Sequence, residues 1–150
     1  MSIVQPQDGT TTPAFGNVPQ ELAERKQWVL WRAINNRNGQ STKMPFTVQR
    51  DLASTTNPDH WSAFDTVVTA FDESRDSGIG FVFSATDDLL GVDLDGCRNE
   101  SDGTLAPWAE SIVSDFGTYT EVSPSGTGVK LFCRSATQLS KGKNKKIDAE

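Results

Sequence analysis

The chain has 150 residues, 35% hydrophobic and 9% aromatic, with four Trp and eight Phe, which suffices for one domain with a real core and excludes wholesale disorder. Twenty acidic side chains against 14 basic ones leave a net charge of −6, so a generic, overall basic nucleic-acid binder is excluded and any polyanion must meet a local basic surface. Two cysteines, no Cys/His cluster, no run near the ~20 apolar residues of a membrane span and no basic-then-apolar leader lead to the expectation of a cytoplasmic protein without disulfides, zinc or membrane contact.

Residues 1–18, rich in Gln, Thr, Pro and Gly, are expected to be a flexible lead-in, and residues 19–150 a single domain. A short helix is expected at 19–26, where Pro19 suits the first turn. "WVLWRAI" (28–34) has the aromatic and branched residues of a core strand; "NNRNGQ" is a turn, and "KMPFTV" is extended, its proline pointing to a sheet edge. "TTNPDHWSAFDTVVTAFDES" predicts one long helix capped by Asn57, with Trp61, Phe64, Val67, Val68 and Phe71 on a single buried face. His60, the sole histidine, falls in its first turn and reads as a surface residue.

"SGIGFVFS" (77–84) and "DLLGVDLDG" (88–96) predict two strands joined by "ATDD" as an antiparallel hairpin. "LAPWAESIVSDFG" (105–117) predicts an amphipathic helix burying Trp108, Ile112, Val113 and Phe116. "TYTEVS" and "GVKLFCR" are two further strands around the tight turn "PSGT". Helices mixed with hairpins and no regular βαβ alternation define an α+β layout around a mostly antiparallel sheet.

Two stretches carry chemistry. In "GVDLDG", strand geometry sends Val92 and Leu94 to one face and Asp93 and Asp95 to the other, their backbones roughly 6.5–7 Å apart. Like charges held so close are neutralised by a cation, and hard oxygen ligands suit Mg²⁺ or Mn²⁺. A turn with solvated acids explains the motif equally well. A calcium loop does not, because Cys97 and Arg98 stand where further ligands are needed. A phosphatase using Asp93 as nucleophile is a competitor, but such enzymes carry the motif on the first strand of a doubly wound sheet.

In "EVSPSGTGVKLF" (121–132), Gly126 and Gly128 allow backbone N–H groups to approach an anion, Ser123, Ser125 and Thr127 add hydroxyls, and Lys130 adds a cation. The glycine spacing is not that of a Walker A loop, and a plain hairpin turn would also account for the glycines. An anion cradle combined with metal-binding carboxylates is the minimum set for phosphoryl or nucleotidyl transfer.

"WVLWR", "KMPF", "TTNPDHWSAFD", "GIGFVFSATDDLLGVDLDGCR", "PWAESIV" and "TYTEVSPSGTGVKLF", running in order from Trp28 to Arg134, resemble the N-terminal catalytic domain of phage and plasmid primase–polymerases of the archaeo-eukaryotic primase superfamily. The resemblance implies an α+β, RRM-like sheet with flanking helices. It implies catalytic metals, Mg²⁺ or Mn²⁺, on Asp93 and Asp95, and a nucleotide-phosphate site at Ser123, Ser125, Gly126, Gly128 and Lys130. Its partners would be an NTP or dNTP, a single-stranded DNA template and a replicative helicase domain or protein. Lys130 stands where the family commonly has histidine, which keeps a phosphate-binding cation and loses a titrating imidazole. The family's third carboxylate has no counterpart inside a recognisable strand before residue 150; Asp148 and Glu150 are the stand-ins on offer. "KGKNKK" (141–146), Arg32 and Lys43 are candidate contacts to template phosphates. Two rival functions follow: a catalytically inactive nucleotide- or DNA-binding module of the same fold, and the Asp-nucleophile phosphatase.

Overall fold

Trp28, Val29, Leu30 and Trp31 are buried in succession, the signature of a strand covered on both faces. In the computed structural model, which describes residues 2–4, 15–35, 38–39 and 41–135, they open β2 (Trp28–Asn35), the centre of a first antiparallel sheet. β3 (Ser41–Phe46) pairs along one side of β2 and β4 (Gly78–Phe81) along the other, with β1 (Ser2–Val4) outside β4, giving the order β1-β4-β2-β3. Ser2–Val4, inside the 1–18 stretch expected to be a flexible lead-in, is thus a strand of the sheet, paired with β4. Pro45 sits on β3, an edge strand as its missing N–H requires.

Three later strands form a second antiparallel sheet: β5 (Leu89–Leu94), β6 (Thr120–Val122) and β7 (Val129–Arg134), in the order β5-β7-β6. The expected β4–β5 hairpin is therefore corrected, and the single sheet becomes two. Gln27 and Asp87 explain the break. Gln27 Nε2 donates to the Val82 carbonyl (2.8 Å) and to Asp87 Oδ2 (2.7 Å), which also accepts from the Ser84 N–H (2.7 Å). This clamp turns the chain out of the first sheet, where β4 is already paired on both edges. Helices and two small antiparallel sheets make an α+β protein; among the described residues no helix is long and apolar enough to cross a membrane.

Among the described residues three α-helices accompany the sheets: α1 (Gln20–Ala23), α2 (Phe64–Ala70) and α3 (Pro107–Phe116). The long helix expected from Asn57 onward is broken. Asn57 caps only a 3-10 turn, Pro58–His60, and Ser62 then exchanges backbone hydrogen bonds with Trp28 (2.9 and 3.1 Å), which holds 61–62 extended. Trp61 consequently leaves the α2 face and packs with Val29 and Val82, its indole N–H donating to the Ser54 carbonyl at 3.0 Å. His60 is half-buried and its Nδ1 accepts from the Ser54 N–H at 2.8 Å. In α3, Ala109 is the residue fully buried, whereas Trp108 and Phe116, expected inside, are 43% and 51% exposed. A small side chain lets the helix close on the second sheet, and Gly117 ends it in the left-handed region (φ 53°).

Two cores result. Trp28, Leu30, Phe46, Val67, Ile79 and Phe81 pack with Leu89 and Phe132, joining the first sheet to one face of the second. Leu94, Ala109, Val129, Leu131 and both cysteines fill the space between the opposite face and α3. The cysteines are free, and burial pushes both thiols above their ordinary pKa.

Asp76, whose side chain is completely buried, ties the first sheet to the segment after α2. It accepts from Arg32 Nε (3.2 Å), from the Asp72 N–H (3.1 Å) and from Arg50, which occupies the left-handed region at φ 76°. Arg32, a candidate for template contact, is thereby engaged structurally, and it also lies over the Phe46 ring at 4.3 Å. Removing the carboxylate strands two guanidinium groups, so Asp76→Ala is expected to lower unfolding stability by about 3 kcal/mol in urea titration.

Candidate functional site

The alternation of β5 organises the site. Leu90, Val92 and Leu94 point to the α3 core, whereas Leu89, Gly91 and Asp93 occupy the face that meets the first sheet, and Asp95 continues it. Asp93 lies directly opposite Lys130 of β7, and Lys130 directly opposite Glu121 of β6. One cross-strand row therefore reads Asp93, Lys130, Glu121. Lys130 Nζ is 2.9 Å from Asp93 Oδ1, with the lysine side chain 16% exposed and the aspartate 59%.

Glu121 is buried and accepts a hydrogen bond from the Tyr119 hydroxyl at 3.0 Å. Burial, followed by the adjoining Glu121 charge, raises the Tyr119 pKa far above its ordinary value, so the phenol remains a donor. Beyond this row the same face turns apolar. Phe132 stacks near Tyr119 and Phe83, each at 5.4 Å between centroids. A β-carbon on Gly91 would meet the Phe83 ring at 2.9 Å. The charged row is thus the border between the core and the open end of the sheet.

The Ser/Gly turn lies at that open end. A β-carbon on Gly128 would stand 2.6 Å from the Leu94 carbonyl oxygen and 3.4 Å from Asp95 Cα, so only glycine lets the turn touch the acidic strand. Arg98, just after the acidic motif, holds the other side: its N–H donates to the Thr127 carbonyl and its Nη1 to the Gly126 carbonyl, both at 2.9 Å. Ser123, Ser125 and Thr127 form a hydroxyl chain with Oγ separations of 2.8 and 2.9 Å. The Gly126 N–H is bonded to the Ser123 carbonyl (2.8 Å) and the Gly128 N–H to Ser123 Oγ (3.0 Å). What the turn presents is therefore hydroxyl groups, not the glycine N–H groups anticipated from the spacing.

Asp93, Asp95, Ser123, Ser125, Gly126, Gly128 and Lys130 are thus brought into one patch. A further cation joins them from the first sheet. Lys43 of β3 feels the charges of Lys130, Asp93 and Asp95; partial burial, and then Lys130, hold its pKa below the ordinary lysine value. Its Nζ lies 5.9 Å from the Trp31 ring centroid. Sequence reasoning missed Glu121, Tyr119 and Arg98. The period-two placement of Tyr119 and Glu121 in "TYTEVS" was the available signal for the first two. Residues 141–146, Asp148 and Glu150 lie outside the described residues.

Asp93 and Asp95 are the side chains that could hold a divalent cation. Among the described residues no group of three or more His, Cys, Asp or Glu is gathered to do so. Two exposed carboxylates at the mouth of a hydroxyl-lined turn fit Mg²⁺, which is commonly bound by one or two carboxylates together with substrate phosphates and water.

The chain is 30% identical over 111 residues, 73% of its length, to a protein named DNA primase-polymerase from Nitratiruptor phage NrS-1. It spans 15% of the length of that curated relative. No family model matches the chain. The similarity supports a relationship to primase–polymerases.

Because Gly128 has no space for a β-carbon, Gly128→Ala is expected to push the turn off β5 and to cost about 2 kcal/mol of stability in denaturant titration. Amide hydrogen exchange at residues 123–128 should rise with it.

Proposed function

We propose that this chain carries the metal- and nucleotide-binding part of a catalytic domain of the archaeo-eukaryotic primase type, acting in phage or plasmid replication. The reaction is template-directed: a 3′-hydroxyl attacks the α-phosphorus of an NTP or dNTP, a new P–O bond forms, and pyrophosphate leaves. The observation that carries the reading is the contact of the Ser/Gly turn with the acidic strand, on the side where Lys130 pairs with Asp93. The similarity to a phage primase–polymerase supports the same reaction class.

Asp93 and Asp95 would hold Mg²⁺ or Mn²⁺, which when bound supplies Lewis-acid neutralisation of phosphate oxygens and acidifies the attacking hydroxyl. The hydroxyls of Ser123, Ser125 and Thr127 would exchange their mutual hydrogen bonds for phosphate oxygens by rotation of the O–H groups alone, because the turn's backbone is held by its own bonds. Lys130 and Lys43 bring positive charge from the two sheets, which orients the triphosphate with its anionic end toward them. Glu121, buried behind Lys130, keeps that cation aligned with the strand row. A single-stranded DNA template and a helicase domain or protein are the proposed partners, and the lysines at 141–146 are the basic stretch available for template phosphates.

A binding module without catalysis is the second reading, favoured by the lack of a third gathered carboxylate among the described residues. The phosphatase reading loses its structural premise, because Asp93 lies on an antiparallel edge strand and not on the first strand of a doubly wound sheet. Extension of a primer on single-stranded DNA with Mg²⁺ or Mn²⁺ separates the first two. Asp93→Asn is expected to lower extension by about 100-fold or more. Metal-dependent nucleotide binding that needs Asp93, with no extension by the wild type, would establish the module instead.

A further inference from the structure

The ion pair between Lys130 and Asp93 has a chemical meaning beyond alignment. It is set by register, since the two residues face each other across the β5–β7 ladder, and Nζ reaches Oδ1 at 2.9 Å. The partners differ in exposure. The Lys130 side chain is largely covered, its Cδ 3.7 Å from the β-carbon position of Gly91, while Asp93 is open to solvent. The cation is therefore held in place and the carboxylate is accessible to whatever competes for it.

On the other side of Lys130 stands Glu121, buried and fixed by Tyr119. An ammonium that leaves Asp93 still has a negative neighbour in the same row, and it stays beside the hydroxyl turn. Lys130 thus stands between two carboxylates of one cross-strand row.

We infer that Lys130 is a built-in counter-ion that couples cation binding to triphosphate binding at this site, an inference that rests on the proposed metal and phosphate roles of Asp93 and the 123–128 turn. Without a triphosphate, the Lys130 ammonium neutralises Asp93 and competes with a divalent cation for it. A triphosphate at the turn draws the ammonium toward its own oxygens and releases Asp93 to the cation. By linkage, a cation on Asp93 releases Lys130 to the phosphates to the same degree. The site thereby favours joint occupancy over either ligand alone.

Mn²⁺ binding to the full chain, followed by the electron paramagnetic resonance of free Mn²⁺ with no nucleotide present, tests the first half. Lys130→Met, which keeps the apolar stem, is expected to bind Mn²⁺ roughly three- to tenfold more tightly than wild type. Inorganic tripolyphosphate binding in excess EDTA tests the second half. Asp93→Asn should bind it several-fold more tightly than wild type, and the same substitution in the Lys130→Met background should bring no gain. Mn²⁺ uptake with equal affinity in wild type and Lys130→Met overturns the coupling and leaves the metal site standing. No Mn²⁺ uptake by either protein overturns the metal reading and the coupling together. An Asp93→Asn gain that persists without Lys130 assigns it to plain charge repulsion and also overturns the coupling.

Discussion

The register of the three-stranded sheet is the constraint on which the rest of this protein depends. A slip of one residue between β5 and β7 would send Asp93 and Lys130 to opposite faces, because side chains alternate with a period of two. Both faces resist such a slip. Leu90, Val92 and Leu94 are committed to the α3 core, and Leu89 and Phe132 to the core shared with the first sheet. Apolar packing on two sides thus specifies a charged row that contributes little to packing itself. The glycines serve the same end: Gly91 admits the Phe83 ring and Gly128 admits the Leu94 carbonyl, so neither strand nor turn can drift.

An acidic chain that is to meet a polyanion needs its cations concentrated. Here the concentration comes from topology. Lys130 belongs to the second sheet and Lys43 to the edge strand of the first, and Lys43 comes within electrostatic range of Lys130, Asp93 and Asp95 because the sheets share a core. Arg32 and Arg50, equally positive, are withdrawn from that role by Asp76, which uses them to fasten β2 to the segment that follows α2. The same residue types therefore divide into structural and site-facing cations by burial of their partners: a fully buried carboxylate on one side, an exposed one on the other.

Much of this was readable from residue pattern. Six of the strands, β2 to β7, and the position of α3 follow from extended, branched and aromatic runs and from Gly117 at the helix end. Asp93, Asp95, the three hydroxyls and Lys130 stand out because few structural demands explain them together. What failed did so for identifiable reasons. The 57–74 helix satisfied every local rule, yet a backbone bridge from Trp28 claimed Ser62 and took Trp61 with it. The β4–β5 hairpin satisfied strand and turn rules, yet Gln27, distant in sequence, claimed Asp87 and turned the chain away.

By itself the sequence determined the α+β class, the candidate pairing of an acidic strand with a small-residue turn, and the carboxylates, hydroxyls and lysine that the two carry, since these depend on local alternation and side-chain chemistry. Only the tertiary structure decided that the strands divide into two sheets, that Glu121 is buried beside Lys130, that Lys43 joins the site, and that Arg32 does not. Those outcomes depend on which distant backbone and carboxylate groups reach each side chain first, and no short stretch of sequence contains its own partner.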